Sequence, residues 1–273
     1  MFDALACMLM DDPPTAGDGA STGSMSRRQL LGGLMLGIGA AACSAAEHHT
    51  SPVAIASSTP TSSPAATATS KPAQPASEIV HGSRTRPRVS LTFHGAGDVG
   101  LASSLLAEVE RAGAHVTVLG VGTWLAAEPG IARRILDGGH ELGNHTYHHL
   151  AMRQLSATRA LDEIVRCAQQ LRKLTGSAGR WFRPSGTPHA TSTILRAAGL
   201  AGYAHSLSYD VDPRDYQDPA ADTIVQRVLT TVRPGSIISL HLGHPDTVKA
   251  MPALLDGLSN RGLAPATVSE LLG

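Results

Sequence analysis

Ile135-Leu136-Asp137-Gly138-Gly139-His140-Glu141-Leu142-Gly143-Asn144-His145-Thr146-Tyr147-His148-His149 reads as a helix end, a glycine turn, a short strand and a run of imidazoles. Imidazole is the commonest side-chain ligand for zinc and similar ions. His145 and His149 stand four residues apart, and on one helical turn they would project from the same face. They fall just past the C-terminal end of a strand, where α/β folds keep their chemistry. A surface loop rich in His would read the same over this stretch alone, so the flanks decide.

Outward from the stretch, strands and helices alternate. On the N-terminal side, Val89-Ser90-Leu91-Thr92-Phe93 reads as a strand, 101–112 as an amphipathic helix, 115–120 as a strand and 129–136 as a helix opened by Glu128-Pro129-Gly130. On the other side, Leu161, Ile164, Val165, Ala168, Leu171 and Leu174 recur at helical spacing, predicting a helix over 156–175 that Ser156 can cap and Gly176 end. Strands follow at 181–183, 202–205, 236–241 and 264–267, with helices at 191–198, 220–232 and 252–260 between them. This alternation argues a parallel sheet, closed or nearly closed. Closure puts every strand's C-terminal end on one rim, and each polar cluster of this chain follows a strand.

The 273 residues are enough for one large domain plus tails. Lys plus Arg and Asp plus Glu are 22 each, so there is no basic excess of the kind nucleic-acid binding uses. Thirteen residues are His, and four of them (His140, His145, His148, His149) fall within ten positions. Cys7, Cys43 and Cys167 show no pairing pattern; Cys167 reads as a buried small side chain in a helix.

The first 83 residues read differently. Met25-Ser26-Arg27-Arg28 followed by the apolar run 30–42 resembles a twin-arginine export signal, with residues 1–24 an upstream extension before the true start at Met25. The run is too short to span a bilayer. Ala40-Ala41-Ala42-Cys43 looks like a lipoprotein processing site, which would tie the chain to the outer membrane face through lipid on Cys43; plain signal cleavage near Ala42 is the alternative. Residues 44–83, rich in Ala, Ser, Thr and Pro, read as a disordered spacer, leaving 84–273 as the folded domain.

The polar clusters, in their order, resemble the NodB-type polysaccharide deacetylases of carbohydrate esterase family 4 over about residues 89–272. The family's Gly-Asn-His-[Ser/Thr]-x-x-His motif is similar to Gly143–His149, which implies that His145 and His149 are metal ligands. Its Arg-Pro-Gly motif resembles Arg183-Pro184-Ser185-Gly186, so Arg183 would contact the catalytic base. Asp212-Pro213-Arg214-Asp215-Tyr216 resembles the motif whose Asp orients the catalytic His, with Tyr for the usual Trp, and Ser236-Ile237-Ile238-Ser239-Leu240-His241 the strand that ends in that His. The resemblance implies a distorted (β/α)7 barrel, a divalent metal, usually zinc, and removal of N- or O-acetyl groups from glycan.

One motif departs from the pattern. Where the family writes Thr-Phe-Asp-Asp-Gly, with a base and a metal ligand, this chain has Thr92-Phe93-His94-Gly95-Ala96-Gly97-Asp98. His94 can serve as base or as a third imidazole ligand. Asp98 can serve as ligand or base if the glycines turn tightly. A carbohydrate-binding protein without turnover is the alternative to a hydrolase. His148 reads as exposed or as supporting a ligand, His205 as core, His244 as a rim residue near substrate, His140 as solvated at a turn, and Trp124 and Trp181 as core. The expectation is thus an exported, lipid-anchored, monomeric hydrolase of the cell envelope acting on N-acetylated polysaccharide such as peptidoglycan.

Overall fold

The computed structural model describes residues 74–273. The readings of an extension at 1–24, a signal and Cys43 at 25–43, and the spacer as far as residue 73 lie outside the described residues. The fold begins earlier than the composition change at Arg84. Strand β1 (Ser77–Ile79) pairs in parallel with β5 (His205–Leu207), so the last residues assigned to the spacer are part of the sheet.

In chain order the other elements are β2 (Arg88–Gly95), α1 (Val99–Arg111), β3 (Thr117–Gly120), α2 (Gly122–Ala127), α3 (Pro129–Asp137), β4 (Glu141–Asn144), α4 (Ala157–Thr175), α5 (Ser192–Leu200), α6 (Ala221–Thr231), β6 (Ile237–His241), α7 (Pro245–Asn260), β7 (Ala264–Pro265) and α8 (Val268–Leu272). The parallel order is β4–β3–β2–β6, with β7 beside the start of β2. Single-residue bridges carry the ring onward. Phe182 pairs with Asn144 of β4 and Ser206 of β5, Val211 with Ile238 of β6, and His81 with Ser236. The expected α/β architecture is present as a distorted barrel, with staves at 182 and 211 one residue long. The strand expected at 181–183 shrinks to that bridge because Pro184 has no N–H to extend the ladder.

β2 shows how the sequence builds the ring. Val89, Leu91 and Phe93 are fully buried and join the apolar layer with Leu105, Leu106 and Val109 of α1 and Met251 and Leu254 of α7. Ser90 and Thr92 alternate with them and are buried too. The pleat sends these small polar residues, and His94 after them, to the opposite side.

Helices largely follow their apolar spacing. Ser156 caps α4 by accepting from Arg159 N, and Gly176 closes it at φ 79°. Two differences stand out. α2 is six residues long, too short to leave a periodic signal. α7 starts at Pro245 and carries Pro252 inside it, where a helix was expected to begin. Among the described residues, no helix is long and apolar enough to cross a membrane.

Candidate active site

His94 is the penultimate residue of β2 and stands in register with His241, the last residue of β6. Their ring centroids are 4.4 Å apart. His145 follows β4, and its ring lies 4.3 Å from that of His94 and 4.9 Å from that of His149. One nitrogen from each of His94, His145 and His149 falls within 4.8 Å of the others. The segment 145–149 is a loop and not a helical turn. Thr146 (φ 67°) and His149 (φ 58°) take left-handed backbone, and these two reversals bring the rings together.

His145 is fully buried and oriented. Its Nδ1 lies 2.9 Å from the carbonyl oxygen of Arg183. Its Nε2 has no protein hydrogen-bond partner, an arrangement that costs free energy unless another group takes the lone pair. Burial first, and neighbouring imidazoles after it, hold His94 and His145 well below the usual imidazole range. Both are therefore neutral, the form that ligates a metal. The bare nitrogen of His145 and the convergence of three imidazoles fit a divalent ion. His94 Nε2 also lies 3.2 Å from Ser239 Oγ.

Two residues from the altered motif stand elsewhere. A Cβ at Gly95 would meet Trp124 Cζ3 and Val118 Cγ1 at 2.9 Å, on the apolar side of β2 away from His94. Asp98 does not join the imidazoles, correcting its place among the expected metal ligands. It is exposed and caps α1, its Oδ1 accepting from Leu101 N at 2.8 Å. A free N-cap position is the stronger local demand on a short carboxylate.

Opposite the trio, Asp215 and His241 form a built pair. Asp215 is fully buried and accepts from His241 N, from Thr247 Oγ1 and, through Oδ1, from His241 Nδ1, each at 2.8 Å. Burial alone would raise its pKa, but the nearness of the His241 ring and these hydrogen bonds outweigh it and hold the carboxyl below its usual range. The bond at Nδ1 leaves Nε2 of His241 for reacting groups. Tyr216, in place of the expected Trp, has its ring 5.4 Å from that of His241. A second pair, His244 Nδ1 to Asp218 Oδ1 at 2.7 Å, lies beside it, with the two His rings 5.7 Å apart.

Arg183 is buried as well. Its Nη2 donates to Ser208 O at 3.1 Å, while Nε and Nη1 have no protein partner. Burial pulls its pKa down to about 10. The position of the family's carboxylate base holds His94, and the Arg183 charge instead helps keep His94 and His145 neutral.

Several supporting residues escaped the sequence reading. Ser185 Oγ bonds Thr146 Oγ1 at 2.9 Å and Leu150 O at 2.6 Å, and Glu163 of α4 takes three bonds from Tyr147 and His148. Glu163 had a signal: it sits on the apolar face of its helix, three residues after Ala160 and four before Cys167, where a carboxylate has no reason to be without a partner. His140 is buried against Glu110, not solvated at its turn. Trp181 and Cys167 are core, as read, and burial pushes the Cys167 thiol up to about 12.

Known proteins resemble this chain in sequence and fold. The polysaccharide deacetylase family model matches residues 81–205. A peptidoglycan-N-acetylglucosamine deacetylase of Bacillus cereus is 30% identical over 188 residues, 67% of this chain and 87% of that protein. The uncharacterized protein YlxY of Bacillus subtilis is 27% identical over 195 residues, 71% of this chain, and this chain spans 60% of it. The solved structure of a CE4 family pseudoenzyme from Bacillus anthracis is 25% identical, with a TM-score of 0.69 over 73% of this chain and 70% of that one. A mutant of that pseudoenzyme with restored enzymatic activity matches with a TM-score of 0.69 and 26% identity, over 73% of this chain and 72% of that one. The chain belongs to the polysaccharide deacetylase family, as a NodB-type member of carbohydrate esterase family 4. The family's enzymes hydrolyse N-acetyl amide bonds, and it also includes pseudoenzymes such as the Bacillus anthracis relative.

Proposed function

We propose that this chain is a metal-dependent deacetylase that removes acetyl groups, on nitrogen in the first place, from cell-envelope glycan. The observation that carries the reading is the convergence of His94, His145 and His149 beside the buried Asp215–His241 pair. His94 serves as the third ligand, because it lies within the trio while Gly95 faces the apolar layer. Three imidazoles with an open position suit zinc, and cobalt also accepts such donors. The chemistry that such an ion supplies is polarisation of the acetyl carbonyl and a lowered pKa for water.

The chain's own residues would move the protons. No carboxylate base stands at position 94, so His241 takes both steps. Its Nε2 accepts a proton from the attacking water and gives it to the departing amine nitrogen as the C–N bond breaks. Asp215 holds the ring through Nδ1, in the tautomer that leaves Nε2 free, and stabilises the imidazolium between the steps. The family relationship to the Bacillus cereus enzyme supports peptidoglycan as the glycan to try first. The Arg27-Arg28 leader and Cys43 support export and a lipid tie to the outer membrane face; lipid labelling that fails in Cys43→Ala tests this.

A glycan-binding protein without turnover is the second reading. The missing carboxylates and the pseudoenzyme relative favour it. Metal content and acetate release separate the two, measured on the full chain with chitin oligomers and peptidoglycan. The hydrolase reading expects stoichiometric metal and acetate from the unmutated chain, and loss of both in His145→Ala. Metal lost in His94→Ala confirms a ligand; metal kept with acetate lost makes His94 the base. Bound glycan with no acetate from the unmutated chain sinks the hydrolase reading.

A further inference from the structure

Glu163 lies in the middle of α4 and is fully buried, where a carboxylate is rarely found without partners. Hydrogen bonds reach it from the loop 145–149. Oε2 accepts from the backbone N–H of His148 at 2.7 Å and of Tyr147 at 3.2 Å. Oε1 meets His148 Nδ1 at 2.8 Å, and Arg159 of the same helix stands 3.5 Å away. Burial pulls its pKa up, but the His148 side chain and backbone bonds prevail and keep the carboxylate ionised.

Both backbone donors sit between His145 and His149. The next residue of α4 holds the same loop from its other end. Ile164 O accepts from Asn144 Nδ2 at 2.9 Å, while Asn144 Oδ1 accepts from Thr146 N at 2.9 Å. The loop needs such anchoring. Its residues Thr146 and His149 take left-handed backbone, which is strained for a residue with a side chain and persists only when its surroundings over-determine it.

We propose that Glu163 is a positioning residue of the metal centre, fixing the loop so that His145 and His149 present their nitrogens to one ion before the ion arrives. The proposal rests on the metal reading of the site. Neither catalysis nor direct ligation is assigned to Glu163: its oxygens are committed to the loop. Removing the charge while keeping the shape would let the loop relax, and the ion would then have to order it.

Cobalt(II) titration of the metal-free full chain tests this, read by the visible d–d absorption of the bound ion. Glu163→Gln is expected to weaken cobalt binding about 10- to 100-fold and to alter the absorption band. His148→Ala, which removes one of the three bonds from a half-exposed side chain, is expected to weaken it less, and serves if Glu163→Gln does not fold. A lower melting temperature of the metal-free protein with unchanged affinity and band would mean that Glu163 only stabilises α4, and overturns the proposal. Unchanged affinity in both variants overturns it as well. Failure of the unmutated chain to bind cobalt would instead remove the metal reading itself, and this proposal with it.

Discussion

At position 215 a single buried carboxylate receives three hydrogen bonds, two of them from His241. Asp215→Asn keeps the size but misplaces a proton donor against His241 Nδ1. If His241 carries both proton transfers, turnover falls about 100- to 10,000-fold, while metal content stays at the unmutated level; a steady-state assay and a metal analysis on one preparation check this. Gly95→Asp puts the family's second carboxylate back in sequence but not in space, because its Cβ is aimed at Trp124 and Val118. It should gain no metal affinity and lose about 1–3 kcal/mol of stability, read by chemical denaturation and cobalt titration. His145, His149, Asp215 and His241 were legible because their motifs resemble a family with known spacing. Asp98 misled, since four residues of separation say nothing of direction when a helix cap competes for the side chain.

Among the elements, the packing of α1 and α3 against β4 buries a titratable group. His140, just before β4, is 4% exposed; its Nδ1 accepts from Val116 N and its Nε2 lies 3.3 Å from Glu110, which Arg134 also pairs with. Burial, the largest influence, holds His140 below its ordinary value of 6.5. The unfolded chain thus binds this proton more readily than the folded one. Stability that is full above about pH 6.5 is lost as pH falls below it, toward the folded value. The Arg134 hydrogen bond holds Glu110 below its ordinary 4.5, adding a second loss below about pH 4.5. Urea unfolding at pH 7.5, 6 and 5 should show the first decline, to which the lowered His94 and His145 also contribute, and His140→Gln should make it shallower without abolishing it. Long elements such as α1, α3 and α4 were readable from their periodicity. β1 was not: three residues in an Ala- and Pro-rich stretch carry no pattern, and only pairing with β5 makes them a strand.

On the scale of the whole molecule, β1 decides where the domain starts. A fragment 84–273 lacks the partner of β5 and exposes its edge, whereas 74–273 keeps the pair. The shorter fragment should melt several degrees lower, about 4 °C or less per kcal/mol lost at this size, and a thermal scan of the two compares them directly. The rim was legible as a list of strand ends, but not its distances, because those depend on how a ring with one-residue staves at 182 and 211 closes. The trio on that rim has a further consequence. Its donors are nitrogen alone. Magnesium and calcium are hard ions that ask for oxygen, and the trio has none to give them. On the metal reading, the working state of this protein follows the supply of zinc-like ions. Zinc starvation would silence it in a medium full of alkaline-earth ions, and an ion-exchange series on the purified chain would show that order of preference.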